Sequence, residues 1–328
     1  MEYTRLGRSE IIVSRLALGC WQASPDWQSF DAQRFTQTVY AALSNGITLF
    51  DTAPVYGAGS SEELLSKALD SERTRVVIAT KFTHRDSAPH KLRLAVEESL
   101  RRLRTDYIDL YQQHWPSPNI PFAETQEELL RLQHEGKIRA IGVSNWMEPE
   151  FAAHSDLSHI QTLQPSYSLL WRSIEKNVLP LCNEHGIGVL PYSPLCQGIL
   201  ARDFEPGELS DVRLKNTYLN PESLHAHDSS ALQSFLNRMD QLAALYDKTR
   251  SQLALNWLLA QPGVSTPIVG VSSVQQVNGN CGALGWELDR VHFDELCELS
   301  AQFSAALESH DTLWNWHSIG GKRDAGSA

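Results

Sequence analysis

The chain has 328 residues, 42% of them hydrophobic, 20% charged and 9% aromatic, a composition that points to an ordinary globular protein able to bury a large core. Its 39 acidic residues outnumber 28 basic ones and give a formal charge of −11 at pH 7. A surface of that sign repels phosphate backbones and anionic lipid, so neither nucleic acid nor membrane is expected as a partner.

No apolar run approaches the roughly 18 residues that a membrane helix needs. The start Met1-Glu2-Tyr3-Thr4-Arg5 lacks the order of a secretory signal, and a cytoplasmic protein is the expectation. The five cysteines (Cys20, Cys182, Cys196, Cys281 and Cys297) are scattered without a C-x-x-C pair. That pattern favours buried, reduced thiols over disulfides or a zinc site.

In chain order, residues 3–13 predict a short hairpin around Gly7. Short apolar runs then predict strands at 16–19, 47–51, 75–81, 107–114, 138–143, 160–164, 187–192 and 265–269, rich in Val, Ile and Leu as buried parallel strands are. Helical periodicity appears between them at 32–44, 62–69, 92–103, 122–134 and 175–185, and twice within 229–260. Gly46, Gly136 and Gly186 follow three of these segments, where a left-handed residue ends a helix at little cost. Residues 201–228, with Pro206, Gly207 and Pro221 and no period, predict a long functional loop. Eight strands alternating with helices predict a single (β/α)8 TIM barrel over residues 1–319, with a doubly wound sheet as the alternative. Residues 320–328 predict a disordered tail.

In such barrels chemistry gathers at the C-terminal ends of the strands. Those ends carry Asp51, Lys81 and His114, and Tyr56 follows in the loop after the second strand. Each has an ordinary structural reading: a solvated lysine, a turn-capping aspartate, a hydrogen-bonded core histidine, a packed tyrosine. Their joint occurrence at consecutive strand ends favours function. Reduction of a carbonyl leaves negative charge on oxygen and needs a proton donor. A phenol has an ordinary pKa of about 10, which a nearby ammonium lowers, while a carboxylate holds the ammonium and an imidazole orients the carbonyl. The hydride has to come from a cofactor.

With those residues in place, the chain resembles the aldo-keto reductases. The resemblance rests on Leu18-Gly19-Cys20-Trp21, Phe50-Asp51-Thr52-Ala53-Pro54-Val55-Tyr56-Gly57, Thr80-Lys81, Asp109-Leu110-Tyr111-Gln112-Gln113-His114-Trp115, Gly136-Lys137-Ile138-Arg139, Gly142-Val143-Ser144-Asn145 and Pro191-Tyr192-Ser193-Pro194-Leu195. It covers nearly the whole chain and is nearer to the bacterial branch related to potassium-channel β subunits.

The resemblance implies an enzyme that reduces aldehydes or ketones (small, aromatic or dicarbonyl) with a nicotinamide cofactor. Tyr56 would be the general acid, Asp51 and Lys81 its tuners and His114 the carbonyl orienter. Ser144, Asn145 and Gln164 would hold the nicotinamide carboxamide, Tyr192 would stack on its ring, and Ser193, Pro194 and Leu195 would begin the pyrophosphate loop. Trp21 would stand beside the cofactor and, with Trp115, line the substrate pocket.

Ser272, Gln276 and Asn280 match positions at the adenosine end. That segment, 270–280, holds no Lys or Arg, and Gly279 replaces the family's usual acid. A 2′-phosphate favours an arginine; Arg202 and Arg213 in the long loop resemble family positions that fold over the cofactor, with ordinary surface arginines as the alternative. NADP(H) is therefore expected, with NAD(H) not excluded.

Gly57-Ala58-Gly59-Ser60-Ser61-Glu62 imitates half of a dinucleotide fingerprint. It lacks the third glycine, and a turn and helix start are expected instead. Trp27, Trp146 and Trp171 also follow predicted strands and are candidates for the pocket wall, as are Trp314 and Trp316 near the C-terminus. His225 and His227, without a third ligand, are weak as a metal site. A cofactor-binding redox sensor or regulatory subunit with slow turnover is the alternative function. A barrel lyase using Lys81 as a nucleophile is a third, which leaves the nicotinamide-site motifs unexplained.

Overall fold

The short runs become eight parallel strands, most of whose residues are buried, as expected of a parallel sheet covered on both faces. The structure is a computed structural model that describes residues 1–25, 30–203 and 229–305. The predicted tail 320–328, most of the predicted long loop, Arg213, Trp27, Trp314, Trp316, His225 and His227 lie outside the described residues. An antiparallel hairpin, β1 (Tyr3–Arg5) and β2 (Ile12–Ser14), precedes the parallel strands. These are β3 (Ala17–Gly19), β4 (Leu49–Asp51), β5 (Val77–Phe82), β6 (Ile108–Gln113), β7 (Ile138–Ser144), β8 (Thr162–Gln164), β9 (Gly188–Val189) and β10 (Ile268–Gly270).

The sheet runs β10-β3-β4-β5-β6-β7-β8-β9, every pairing parallel. Bridges Val189–Val264 and Tyr192–Ile268 bring its two ends together, with the Ile268 amide donating to the Pro191 carbonyl at 2.8 Å. The result is the expected (β/α)8 barrel, in which edge strands disappear by closure.

Helices cover the outside. Ala32–Ser44 and Phe122–His134 fall where periodicity puts them, while Val178–Glu184 is shorter than expected. Helices Glu148–Ala153, Val274–Cys281 and Arg290–Ala305 were not expected from the sequence. The predicted glycine stops hold: Gly46, Gly136 and Gly186 all have positive φ.

The fold has three apolar layers. Two lie between strands and helices, one around β3–β6 and one around β7–β9 with helices Ser229–Leu245 and Arg250–Leu259. The third fills the barrel: Ala17, Leu49, Val77, Ala79, Leu110, Ala140, Leu190 and Ile268 point inward and meet Leu6, Ile11 and Val13 of the hairpin. The hairpin thus plugs the end at which the strands begin. Gly7 is required at its turn: φ is +56°, and a Cβ would stand 1.9 Å from the Gln161 carbonyl oxygen. With that end sealed, the interior opens only where the strands finish.

Candidate active site

Three strands deliver their last inward-facing polar side chains to the open mouth. Asp51 ends β4, Lys81 is the penultimate residue of β5, and His114 follows β6, its amide bonded to the Phe82 carbonyl at 2.9 Å. Tyr56 comes from the turn before helix Ser60–Leu69. Glu62, in that helix, bonds Thr80 and Arg102 on the outside of the sheet, so Gly57–Glu62 is a turn and helix start as expected.

Lys81 is fully buried, and its Nζ donates to Asp51 Oδ1 at 2.6 Å, to the Thr52 carbonyl at 2.9 Å and to the Tyr56 hydroxyl at 3.5 Å. Asp51 is buried too; its Oδ2 accepts from Gln164 Nε2 at 2.7 Å and from Gln112 Nε2 at 3.4 Å. Each acceptor of the carboxylate is therefore engaged, as a buried charge requires.

The electrostatics differ from the expectation at one point. Burial pushes the Tyr56 phenol above its ordinary value, and the opposing pull of Lys81 does not overcome it. The expected lowering by the ammonium is thus corrected: desolvation wins, and the phenol is neutral at physiological pH. Burial also acts to lower Lys81, but Asp51 and Tyr56 outweigh it and the ammonium is held above its ordinary value. Burial, with Lys81 and His84 adding to it, holds His114 well below the usual histidine range, so its imidazole is neutral. The arrangement presents two neutral donors, a phenol and an imidazole, behind which sits a fixed cation.

Aromatic rings rim these groups. Trp21 stacks on Tyr56 with centroids 5.9 Å apart, His114 meets Tyr56 edge-on at 5.9 Å, and Trp115 stacks near His114 at 6.4 Å. Trp146 and Trp171 are not part of this wall. Both are buried in the outer layer beside β7–β9, where Trp146 packs on Phe122 and Phe151 and donates to Gln113 Oε1 at 2.9 Å. Their place just after a strand gave their height in the barrel but not the side to which they turn.

The residues matched to the nicotinamide form one linked cluster. Ser144 Oγ donates to the Gln164 carbonyl at 2.7 Å, Asn145 Nδ2 to the His114 carbonyl at 3.0 Å, and the Tyr192 hydroxyl to Asn145 Oδ1 at 2.8 Å. Asn145 itself takes a left-handed φ of 60°, the kind of strain that local structure must hold in place. After Tyr192 the chain turns through Ser193, Cys196, Gln197 and Gly198, all at positive φ, with Pro194 and Leu195 between them. Both amide atoms of Gln197 are buried without a hydrogen-bond partner.

Beyond β10, Ser272 and Gln276 bond each other: Gln276 Oε1 accepts from the Ser272 amide at 2.7 Å. With the Ser273 cap they build the start of helix Val274–Cys281, which also carries Asn280. Arg202 is exposed, and its carbonyl accepts from Arg250 Nη1 at 3.2 Å. Of the cysteines, Cys20, Cys182 and Cys196 are buried and free, whereas Cys281 and Cys297 are half-buried, which corrects the expectation that all five are interior.

Sequence reasoning gives no role to Gln112, which lies in the segment Asp109–Trp115. The signal that could have found it is a glutamine two residues before His114 in a wholly buried strand, on the face that His114 shares.

The aldo/keto reductase family model matches residues 15–301. The chain is 37% identical over 310 residues to the aldo-keto reductase YhdN of Bacillus subtilis (strain 168), covering 88% of this chain and 90% of that protein. It is 33% identical over 337 residues to the NADH-specific methylglyoxal reductase of Escherichia coli (strain K12), covering 94% and 100%. Among solved structures, an aldo-keto reductase from Klebsiella pneumoniae in complex with NADPH superposes with a TM-score of 0.73 at 30% identity, over 92% of this chain and 95% of that one. The chain belongs to the aldo/keto reductase family.

Proposed function

We propose that the protein reduces aldehydes or ketones to alcohols with NADP(H), Tyr56 supplying the proton. The observation that carries this reading is the Lys81 ammonium shared between Asp51 and the Tyr56 hydroxyl at the open mouth of the barrel. Family membership and the NADPH complex of the Klebsiella pneumoniae relative support it.

The residues present fit a nicotinamide dinucleotide. Asn145, Ser144 and Gln164 offer amide and hydroxyl groups beside the catalytic set, and the unpaired Gln197 amide lies in the loop where a pyrophosphate would run. Ser272, Gln276 and Asn280 would meet the adenosine end, and Arg202 and Arg213 are the candidate readers of a 2′-phosphate. When bound, the cofactor supplies a hydride to the carbonyl carbon.

The chain's own groups do the rest. The neutral His114 imidazole donates a hydrogen bond to the carbonyl oxygen and orients it. As negative charge grows on that oxygen, Tyr56 gives up its proton, and the phenolate left behind is stabilised by Lys81. Asp51 keeps Lys81 charged and in place. Donors fixed before the reaction need no reorganisation as charge develops, which is the usual source of most of the rate. The rim of Trp21 and Trp115 excludes water and accepts an apolar or aromatic substituent. A dicarbonyl is the other substrate class supported, by the likeness to the methylglyoxal reductase.

The test is a titration of tryptophan fluorescence with NADPH and, separately, NADH, followed by addition of an aromatic aldehyde or methylglyoxal. Quenching by NADPH at lower concentration than NADH, with oxidation of the cofactor on adding the carbonyl, is the expected result. Preference for NADH would overturn the cofactor assignment. Binding without turnover of any carbonyl would overturn the reductase reading in favour of a cofactor sensor.

A further inference from the structure

Behind the catalytic set, two buried glutamines meet across the inner face of β7. Gln112 on β6 is the register partner of Lys81 on one side and of Gly142 on the other. Gly142 in turn pairs with Thr162, two residues before Gln164 on β8. Side chains two apart on a strand share a face, so Lys81, Gln112 and Gln164 all turn the same way. A side chain at position 142 would crowd Gln112 and Thr162: a Cβ there would lie 2.9 Å from Gln112 Cγ and 2.3 Å from Thr162 Oγ1. The absence of one lets the Gln112 amide reach over β7.

The hydrogen bonds made there define a direction. Gln112 Nε2 donates to Asp51 Oδ2 at 3.4 Å, and Gln112 Oε1 accepts from Gln164 Nε2 at 3.4 Å. Gln164 Nε2 also donates to Asp51 Oδ2 at 2.7 Å. A carboxylate paired with an ammonium offers only acceptors, so Gln164 has to turn its NH2 toward Asp51. Its two N–H groups are then both spoken for, one by Asp51 and one by Gln112. What Gln164 has left to offer is an acceptor, Oε1.

We infer that Gln112 is a positioning residue: with Asp51 it fixes which way the Gln164 amide faces, and with Gln164 it holds Asp51 Oδ2 so that Oδ1 stays on Lys81. Under the reading proposed above, on which this inference rests, the free Oε1 matches the NH2 of a nicotinamide carboxamide. One amide therefore joins the cofactor's binding group to the carboxylate behind the proton donor. Gln112 touches neither substrate nor cofactor and acts through these two neighbours.

The first measurement needs neither cofactor nor turnover. In amide-proton NMR spectra of the protein alone, the Gln164 side-chain NH2 pair is assigned by its loss in Gln164→Ala. In Gln112→Met, one of its two protons is expected to move to the position of a free amide while the other, held by Asp51, stays. Two unmoved protons would overturn the inference.

The second measurement is kinetic. Gln112→Met is expected to lower kcat about tenfold, as loss of one hydrogen bond to a charged group does, with little change in KM for the carbonyl. In an Asp51→Asn background the same change is expected to cost less than about twofold, because coupled residues are not additive. Equal losses in both backgrounds would mean that Gln112 does not act through Asp51, and would overturn the inference.

Should Gln112→Met fail to fold, Gln112→Glu keeps length and acceptor and, while protonated, the donor. Its kcat profile should then gain an ionisation absent from the native profile, activity falling as pH rises, and an unchanged profile would count against the inference. If the native chain reduces no carbonyl with either cofactor, the proposed function fails, while the NMR result still decides whether Gln112 orients Gln164.

Discussion

Thr80 and Lys81 are neighbours on β5 that turn to opposite faces, and each meets a buried ion pair. Outside the barrel, Thr80 Oγ1 donates to Glu62 Oε1 at 2.7 Å and Arg102 Nε to Glu62 Oε2 at 2.5 Å, tying β5 to helices Ser60–Leu69 and Pro89–Leu103. Inside, Lys81 meets Asp51 at 2.6 Å. Both carboxylates are almost wholly out of water, and both are paired and hydrogen-bonded. The outer pair is closed, since its remaining contacts, Arg102 with Ser99 and Glu98, stay within the same helix. The inner pair has a third member, the Tyr56 phenol, which under the proposed function gives its proton to a ligand at the mouth. Burial of an ion pair is thus no mark of chemistry; a proton that can be exchanged with a ligand is.

If that distinction holds, the two pairs respond to mutation in opposite currencies. Tyr56→Phe is expected to reduce kcat by roughly 10²–10⁴, the usual worth of acid–base catalysis, with unfolding unchanged; steady-state rates and thermal unfolding on the same sample check it. Full activity would remove Tyr56 as the acid. Arg102→Ala is expected to cost about 3–5 kcal/mol of stability by stranding a buried carboxylate, read by urea unfolding, while the molecules still folded keep their turnover. Thr80→Val removes one hydrogen bond to the same carboxylate and should cost less, about 1.5–3 kcal/mol. If Arg102→Ala abolished turnover in folded protein, the two sides of β5 would not be separable.

The finest test of the comparison is pH. Under the proposed function, reduction needs Tyr56 protonated, and burial holds its pKa above the ordinary value of about 10. It also needs His114 neutral, which its lowered pKa secures through the ordinary histidine range. The reductive kcat is therefore expected to stay level from about pH 6.5 to 9, and to fall only as rising pH removes the phenolic proton. An inflection near pH 6.5 would mean that His114 titrates like an exposed imidazole, a clear contradiction.

Much of this site could be read along the sequence because barrel strands place their chemistry at one end. Asp51, Lys81 and His114 were found by noting where apolar runs stop, and Tyr56 from its place in the following turn. The helices Ala32–Ser44 and Phe122–His134 were legible from their amphipathic period. Glu148–Ala153 was not, being less than two turns long, and Val274–Cys281 was masked by its Asn and Gly content, which reads as loop.

Other features depended on distances that a sequence does not contain. Lys81 is close enough to pull the phenol down, yet burial pulls harder. Trp146 and Trp171 stand at the right height and turn outward. Gln112 and Gln164 meet across β7, where Gly142 leaves room for Gln112, a relation set by register rather than by spacing along the chain.

The hairpin plug has a consequence for how the chain is made. Arg8 Nη2 donates to the Leu157 and Ile160 carbonyls, 149 and 152 residues downstream. Arg15 reaches the carbonyls of Leu259, Val264 and Ser265, 244 to 250 residues away. This segment thus finds its partners only when most of the barrel has been synthesised. Contacts so distant in sequence slow folding, and Leu6, Ile11 and Val13 stay uncovered during that wait. The hairpin is among the last parts of the barrel to dock, and a nascent barrel lacking its final strands is a molecule with an open floor.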